Sequence, residues 1–229
     1  MFRRFLSTLG LAMAAAAATA TADPPYAPYS NEAANAIYNL LFCDDAASFG
    51  AKTGEQPTSW QTALASTPVE VVTLRALAED STQEGRIRYL AYQRLRNSGQ
   101  TVPAKRLLGV IIEMPLSAGL DTLAAYSEGG VRYINYTGKL LVIEGIPSFH
   151  PLVERLFAAS QAVVSVIGPW DKPRREPPPP GVVRLTFLVS DGLYFGEGPL
   201  SVMQKEAMAA PIIQRATELL QAAVSTGAR

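Results

Sequence analysis

The chain has 229 residues with 20 basic and 20 acidic side chains, one histidine and one cysteine. A balanced charge excludes the strong basic field that draws a protein to nucleic acid or to an anionic membrane. The lone Cys43 excludes an intrachain disulfide, a C-x-x-C-H haem site and a cysteine-built zinc site, and no cofactor or metal is expected.

Met1-Phe2-Arg3-Arg4 opens the chain, and an apolar, Ala-rich run follows from Phe5 to Ala18. Thr19-Ala20-Thr21-Ala22 then precedes Asp23-Pro24-Pro25. A positive start, an apolar run and small residues at a cleavage site make a signal peptide over residues 1–22, with cleavage after Ala20 or Ala22. The run is too short for a comfortable membrane span. Arg3-Arg4 before Phe5-Leu6 is similar to a twin-arginine signal, although Ser7 departs from its spacing, so the export route stays open. Cleavage after Ala22 leaves 207 residues, with 18 basic against 20 acidic side chains. The expectation is an exported chain, periplasmic or secreted, with no stable membrane insertion.

Asp23 to Tyr29, with three prolines, reads as an extended lead-in. Asn31 to Phe42 reads as a helix with Ala33, Ile37, Leu40 and Leu41 in one stripe. Cys43 after it reads as a small buried residue rather than an intermolecular thiol. Asp44 to Pro57, with Gly50 and Gly54, reads as a loop. Thr67-Pro68-Val69-Glu70 has the pattern of a capping box for a helix to about Glu79. Asp80-Ser81-Thr82 opens a second helix with Ile87, Leu90, Ala91 and Leu95 in line, and Gly99 is placed to end it. One such hairpin does not make a solenoid.

At Pro103 the period changes to two. Leu108, Val110, Ile112 and Met114 form an apolar strand face opposite Leu107, Gly109, Ile111 and Glu113. A meander follows: Leu123–Ser127, Val131–Thr137 and Leu140–Glu144, with turns at Gly129-Gly130 and Gly138-Lys139. That second turn sets Ile134 opposite Ile143 and Tyr136 opposite Leu141. Pro147 to Val164 is an amphipathic helix striped by Leu152, Leu156, Ala159 and Val163. Residues 171–181 form a basic, proline-rich connector, and Val182 to Glu197 a hairpin about Asp191-Gly192, with Val189 opposite Tyr194 and Leu188 opposite Phe195. A last helix starts near Pro211 with Ile212, Ala216, Leu219 and Ala223 aligned.

The sum is an α+β protein: a helical N-terminal region over residues 23–100, then an α+β domain over 101–229 with a mostly antiparallel sheet. A meander, a helix, a hairpin and a final helix is similar in outline to profilin-like or roadblock-like folds. The likeness is one of element order, and such folds host many functions.

Catalytic motifs are sparse. His150, before Pro151, has no second histidine near it and reads as a helix-start residue. Ser190 lacks the glycines of a nucleophile elbow. Asp44 and Asp45 lack the alternating ligands of a calcium loop. The Gly192–Gly198 stretch lacks dinucleotide spacing. Arg174-Arg175-Glu176 and the prolines after it match R-x-x-P-x-x-P, and read as a semi-rigid spacer. Two functions remain. One is a non-enzymatic binding module whose sheet face presents Tyr126, Arg132, Tyr133, Asn135 and Arg184 to an unidentified protein or small ligand. The other is a hydrolase or lyase using strand-end carboxylates, with Glu113, Glu144 or Asp191 as acid or base and Glu197 on the same rim. An open aromatic sheet face favours the first, and carboxylates converging in a pocket favour the second.

Overall fold

A computed structural model describes residues 26–227; the expected leader at 1–22 lies outside them. The described residues form an α+β fold whose six-stranded sheet is antiparallel throughout. The strands are β1 (Leu107–Leu116), β2 (Gly119–Tyr126), β3 (Val131–Ile134), β4 (Leu140–Ile143), β5 (Val182–Val189) and β6 (Gly192–Pro199), in the spatial order β4-β3-β2-β1-β5-β6. The helices are α1 (Glu32–Phe42), α2 (Ser59–Ala65), α3 (Val71–Glu79), α4 (Gly85–Asn97), α5 (His150–Val164), α6 (Leu200–Met203) and α7 (Ala209–Gly227).

The sheet is buried on both faces. On one, Val110, Ile112, Leu185 and Phe187 pack with Leu156 of α5 and Ile212, Leu219 and Ala223 of α7. On the other, Leu108, Ile111, Tyr126 and Leu188 pack with Tyr38, Leu41 and Phe42 of α1 and Leu90 and Leu95 of α4. The helices before residue 100 and the sheet after it thus share one core.

Local chemistry sets the element ends. Asn31 caps α1 by accepting from the backbone of Ala33 and Ala34, and Cys43 ends it in a left-handed conformation. The capping box lies at Thr58 and Gln61, at the start of α2. The expected box at Thr67–Glu70 does not form: α3 begins at Val71 with no side-chain cap. Helix α4 ends near Gly99, whose positive φ suits glycine. Its expected stripe of Ile87, Leu90, Ala91 and Leu95 is buried, as is that of α7.

Two helix stripes differ from expectation by about one residue. In α1 the buried residues are Ala34, Tyr38, Leu41 and Phe42, and in α5 they are Val153, Leu156, Ser160 and Val164. Tyr38 and Ser160 carry polar atoms, which hid the true centre of each face.

Three strand registers also differ. Leu108 bulges between Leu107 and Gly109 against β5, so it joins the α1–α4 face rather than the face of Val110. Strand β4 pairs with β3 as Ile134 opposite Leu140 and Val131 opposite Ile143, not Ile134 opposite Ile143. The turn there is longer than two residues because the Asn135 side chain accepts from the backbone of Thr137 and Lys139. The β5–β6 turn is Ser190-Asp191, with Val189 opposite Gly192 and Phe187 opposite Tyr194. Ser190 is pinned there: its Oγ donates to the Pro103 carbonyl and accepts from the Arg106 amide.

Candidate functional site

The residues expected on an open sheet face are scattered and mostly buried. Tyr126 is a core residue whose hydroxyl donates to the Leu41 carbonyl. Arg132 is buried and pairs with Glu144 and Glu84. Tyr133 is half-buried and donates to Asp121 Oδ2 at 3.0 Å. Asn135 organises the β3–β4 turn, and Arg184 is buried beneath the connector. Each is held by neighbours of its own chain, and they share no open surface.

The strand-end carboxylates divide in the same way. Glu113 and Glu197 lie in one cross-strand row with Arg184 between them. Glu144 sits beyond β4, well exposed, on Arg132. Asp191 is at the opposite end of the β5–β6 hairpin from Glu197 and accepts from Tyr194. Glu113 is fully buried.

That row is the polar centre of the molecule. It runs across β2, β1, β5 and β6 as Thr122, Glu113, Arg184 and Glu197. Tyr29 meets Thr122 Oγ1 at 2.8 Å, and the Tyr38 hydroxyl donates to Glu113 Oε1 at 2.6 Å. Among the described residues Glu113 Oε2 has no hydrogen-bond partner, and Arg184 Nη1 stands 3.6 Å from it. Burial pushes the Glu113 carboxyl above the usual carboxylate range, while Tyr38, Arg184 and Arg174 pull against it.

Arg174 of the connector lies above the row. Its guanidinium donates to Asp44 Oδ2 at 2.5 Å, to Asn39 Oδ1 at 3.0 Å and to the Tyr38 hydroxyl at 3.3 Å. It also stands over the rings of Phe42, Tyr26 and Tyr38, 3.9, 4.6 and 5.3 Å from their centroids. The R-x-x-P-x-x-P segment is therefore anchored by its first residue and does not present that arginine to a partner.

Arg174 also forms part of the wall of a half-open cleft of about 1,300 Å³. Helix α1 gives Ala36 and Leu40, the turn after it Phe49, and α4 gives Tyr89, Gln93 and Arg96. Trp170, just before the connector, and Lys172 within it add to the wall, as do Asp191 of the β5–β6 turn and Leu193 of β6. Trp170 is held by its backbone N–H on the Leu193 carbonyl at 2.7 Å and by an edge contact with Phe195. The four aromatic rings of the lining each carry a cation of the chain itself: Arg174 on Tyr26, Arg86 on Phe49, Arg96 on Tyr89 and Lys172 on Trp170. Asp191 Oδ1 is buried beside the cleft, and among the described residues it has no hydrogen-bond partner.

Neither Cys43 nor His150 has the setting of a catalytic group. Cys43 is fully buried, and burial raises its thiol well above the ordinary range, which keeps it protonated. His150 is exposed, caps the turn before α5 only through its backbone N–H on the Pro147 carbonyl, and lies against Gly129. Among the described residues no group of three or more His, Cys, Asp or Glu could hold a metal ion, and no helix is long and apolar enough to cross a membrane. Sequence reading missed Arg174, Tyr38 and Trp170 as site residues. The signal available was an arginine and a tryptophan flanking an otherwise proline-rich connector. Comparison with family models, curated proteins and solved structures returns no match.

Proposed function

We propose that the chain is an exported, non-enzymatic binding protein that takes its ligand in the cleft between α1, α4 and the connector, not on a sheet face. The observation that carries this reading is the cleft itself, about 1,300 Å³ with walls from segments far apart in the sequence. Small-ligand sites usually occupy roughly 300–1,000 Å³, so the space suits a peptide segment or a bulky small molecule. The aromatic faces of the lining already carry the chain's own cations, so attraction of a cationic ligand to a bare ring is not the source of affinity. Apolar contact with Leu40, Leu193 and the ring edges supplies it. Export is supported by the leader pattern of residues 1–22.

The test is native mass spectrometry of the mature chain recovered from the producing cell. The expected N-terminus is Thr21 or Asp23, and the expected spectrum contains a retained ligand. Ala36→Trp, which fills the cleft from the exposed side of α1, should abolish that mass without lowering the melting temperature. A ligand retained by Ala36→Trp would place binding elsewhere. Turnover in a hydrolase and lyase screen that is lost in Glu113→Gln would replace this reading with carboxylate catalysis.

A further inference from the structure

The two edges of the sheet are built differently. At one edge, β6 contains Gly196, Gly198 and Pro199, and its Glu197 is held by Arg184 and Arg175. Trp170 forms an antiparallel bridge with its Leu193. Glycine, proline and a covering segment are the usual means of keeping an edge from pairing with another chain. At the other edge, β4 reads Leu140-Leu141-Val142-Ile143, with no charge, proline, glycine or bulge. Among the described residues no strand or bridge lies on its outer side.

The exposed groups of β4 are complementary to themselves. Asn135 N–H donates to the Lys139 carbonyl. In an antiparallel ladder the bonded pairs alternate, so Leu141 and Ile143 also direct their backbone groups toward β3. The N–H and C=O of Leu140 and Val142 therefore point outward. The side chains alternate as well. Ile143 is in the core under α5 and α7 and Leu141 packs against it, while Leu140 and Val142, on the opposite face, remain 39% and 45% exposed. Tyr136, in the adjoining turn, is also exposed.

We infer that β4 pairs antiparallel with β4 of a second copy of this chain, about a twofold axis normal to the sheet. Such an axis keeps each face on its own side, so facing residues must share the same parity. Setting Leu141 opposite Leu141 places Leu140 of each copy opposite Val142 of the other. The outward backbone groups then meet as hydrogen-bonded pairs, and the exposed leucines and valines cover one another. The neighbouring even registers bring either Glu144 opposite Leu140 or Gly138 opposite Val142, and both lose apolar cover. With only four residues in the strand the interface is small, and the dimer is expected to be weak and concentration-dependent.

Sedimentation velocity of the chain over a wide concentration range reads the association directly. The expected result is a shift from one copy to two. Val142→Pro removes only an outward N–H and should leave the fold intact and the chain monomeric. Register is read by disulfide trapping with copper–phenanthroline in Leu140→Cys, Leu141→Cys and Val142→Cys, against the buried Cys43 as silent background. Leu141→Cys should cross-link fastest, because facing residues at a non-bonded pair stand about 4.5 Å apart between α-carbons. A chain that stays monomeric at every concentration overturns the proposal. So does a dimer that survives Val142→Pro, or one trapped equally fast at Leu140→Cys or Val142→Cys.

Discussion

Replacing Arg174 by methionine tests whether the proline-rich connector is locked to the helices or merely spans them. The Arg174 side chain is 4% exposed and pairs with Asp44 at 2.5 Å. Breaking a buried ion pair costs about 3–5 kcal/mol when the remaining charge stays buried. Asp44 keeps partial access to water, which moves the cost to the lower end of that range. The ring contacts with Phe42, Tyr26 and Tyr38 contribute about 1–2 kcal/mol where the cation is desolvated, and methionine recovers the packing of the aliphatic stem. The expected loss is about 4–5 kcal/mol, or a fall in melting temperature of about 8–20 °C for a domain of this size. Arg175→Met is the control. Its side chain is 53% exposed and pairs with Glu197 at the surface, so its loss should stay below about 1 kcal/mol. Both are read by thermal melts followed in the near-ultraviolet circular dichroism. If Arg174→Met melts no lower than Arg175→Met, the connector is a solvated spacer and the account of Arg174 fails.

Gly85→Ala should cost about 3 kcal/mol in urea unfolding, because its new β-carbon would lie 2.2 Å from the Leu108 carbonyl oxygen, a backbone atom with little room to move; a loss under about 1 kcal/mol would show that α4 can shift off β1. Stability should rise when the pH is lowered from about 7 to about 4.5, toward the ordinary carboxylate range. Burial raises the native carboxyl groups of Glu113 and Glu128 above their ordinary values, so the native state binds those protons more tightly. Their contribution is full below the ordinary carboxylate range and is lost as the pH climbs through the raised native values. Urea titrations at the two pH values decide this, and Glu113→Gln should flatten the slope.

Most of the elements were legible because their signals are local. The stripe of α4 and that of α7 read correctly from apolar spacing alone, and the alternation of Leu185, Phe187 and Val189 marked β5. The errors arose where a polar side chain did work that hydrophobicity cannot report. Tyr38 and Ser160 occupy the centres of buried helix faces, so the apolar neighbours misplaced both stripes. Asn135 and Ser190 fix their turns by side-chain bonds to the backbone, and the nearby glycines were mistaken for the turn itself. Leu108 is one residue too many in an otherwise regular strand, which no periodicity reveals. The site was the least legible part. Arginines in alternating strand positions read as solvent-facing, whereas Arg132 and Arg184 are buried because carboxylates distant in sequence meet them. A cleft assembled from α1, α4, the connector and the β5–β6 turn has no signature in any one of those segments.

The connector differs physically from the rest of the cleft wall. Its prolines lack N–H groups and cannot join a ladder, so it is fixed by polar tethers. Trp170 bonds to the Leu193 backbone, and Arg174 to Asp44 and Asn39. Arg175 pairs with Glu197, and the carbonyls of Arg175 and Glu176 accept from Arg184. The opposite wall, at Tyr89 of α4, belongs to the apolar core beneath the helices. Segments held by few apolar contacts open at lower free energy than the core beside them. The cleft therefore has one wall built into the apolar core and one held chiefly by polar tethers. Arg184 links the connector to the buried polar row, since the arginine that holds the connector's carbonyls also faces the buried Glu113. Displacing the connector would remove two of the acceptors that compensate Arg184 and leave that task to Glu113 and Glu197.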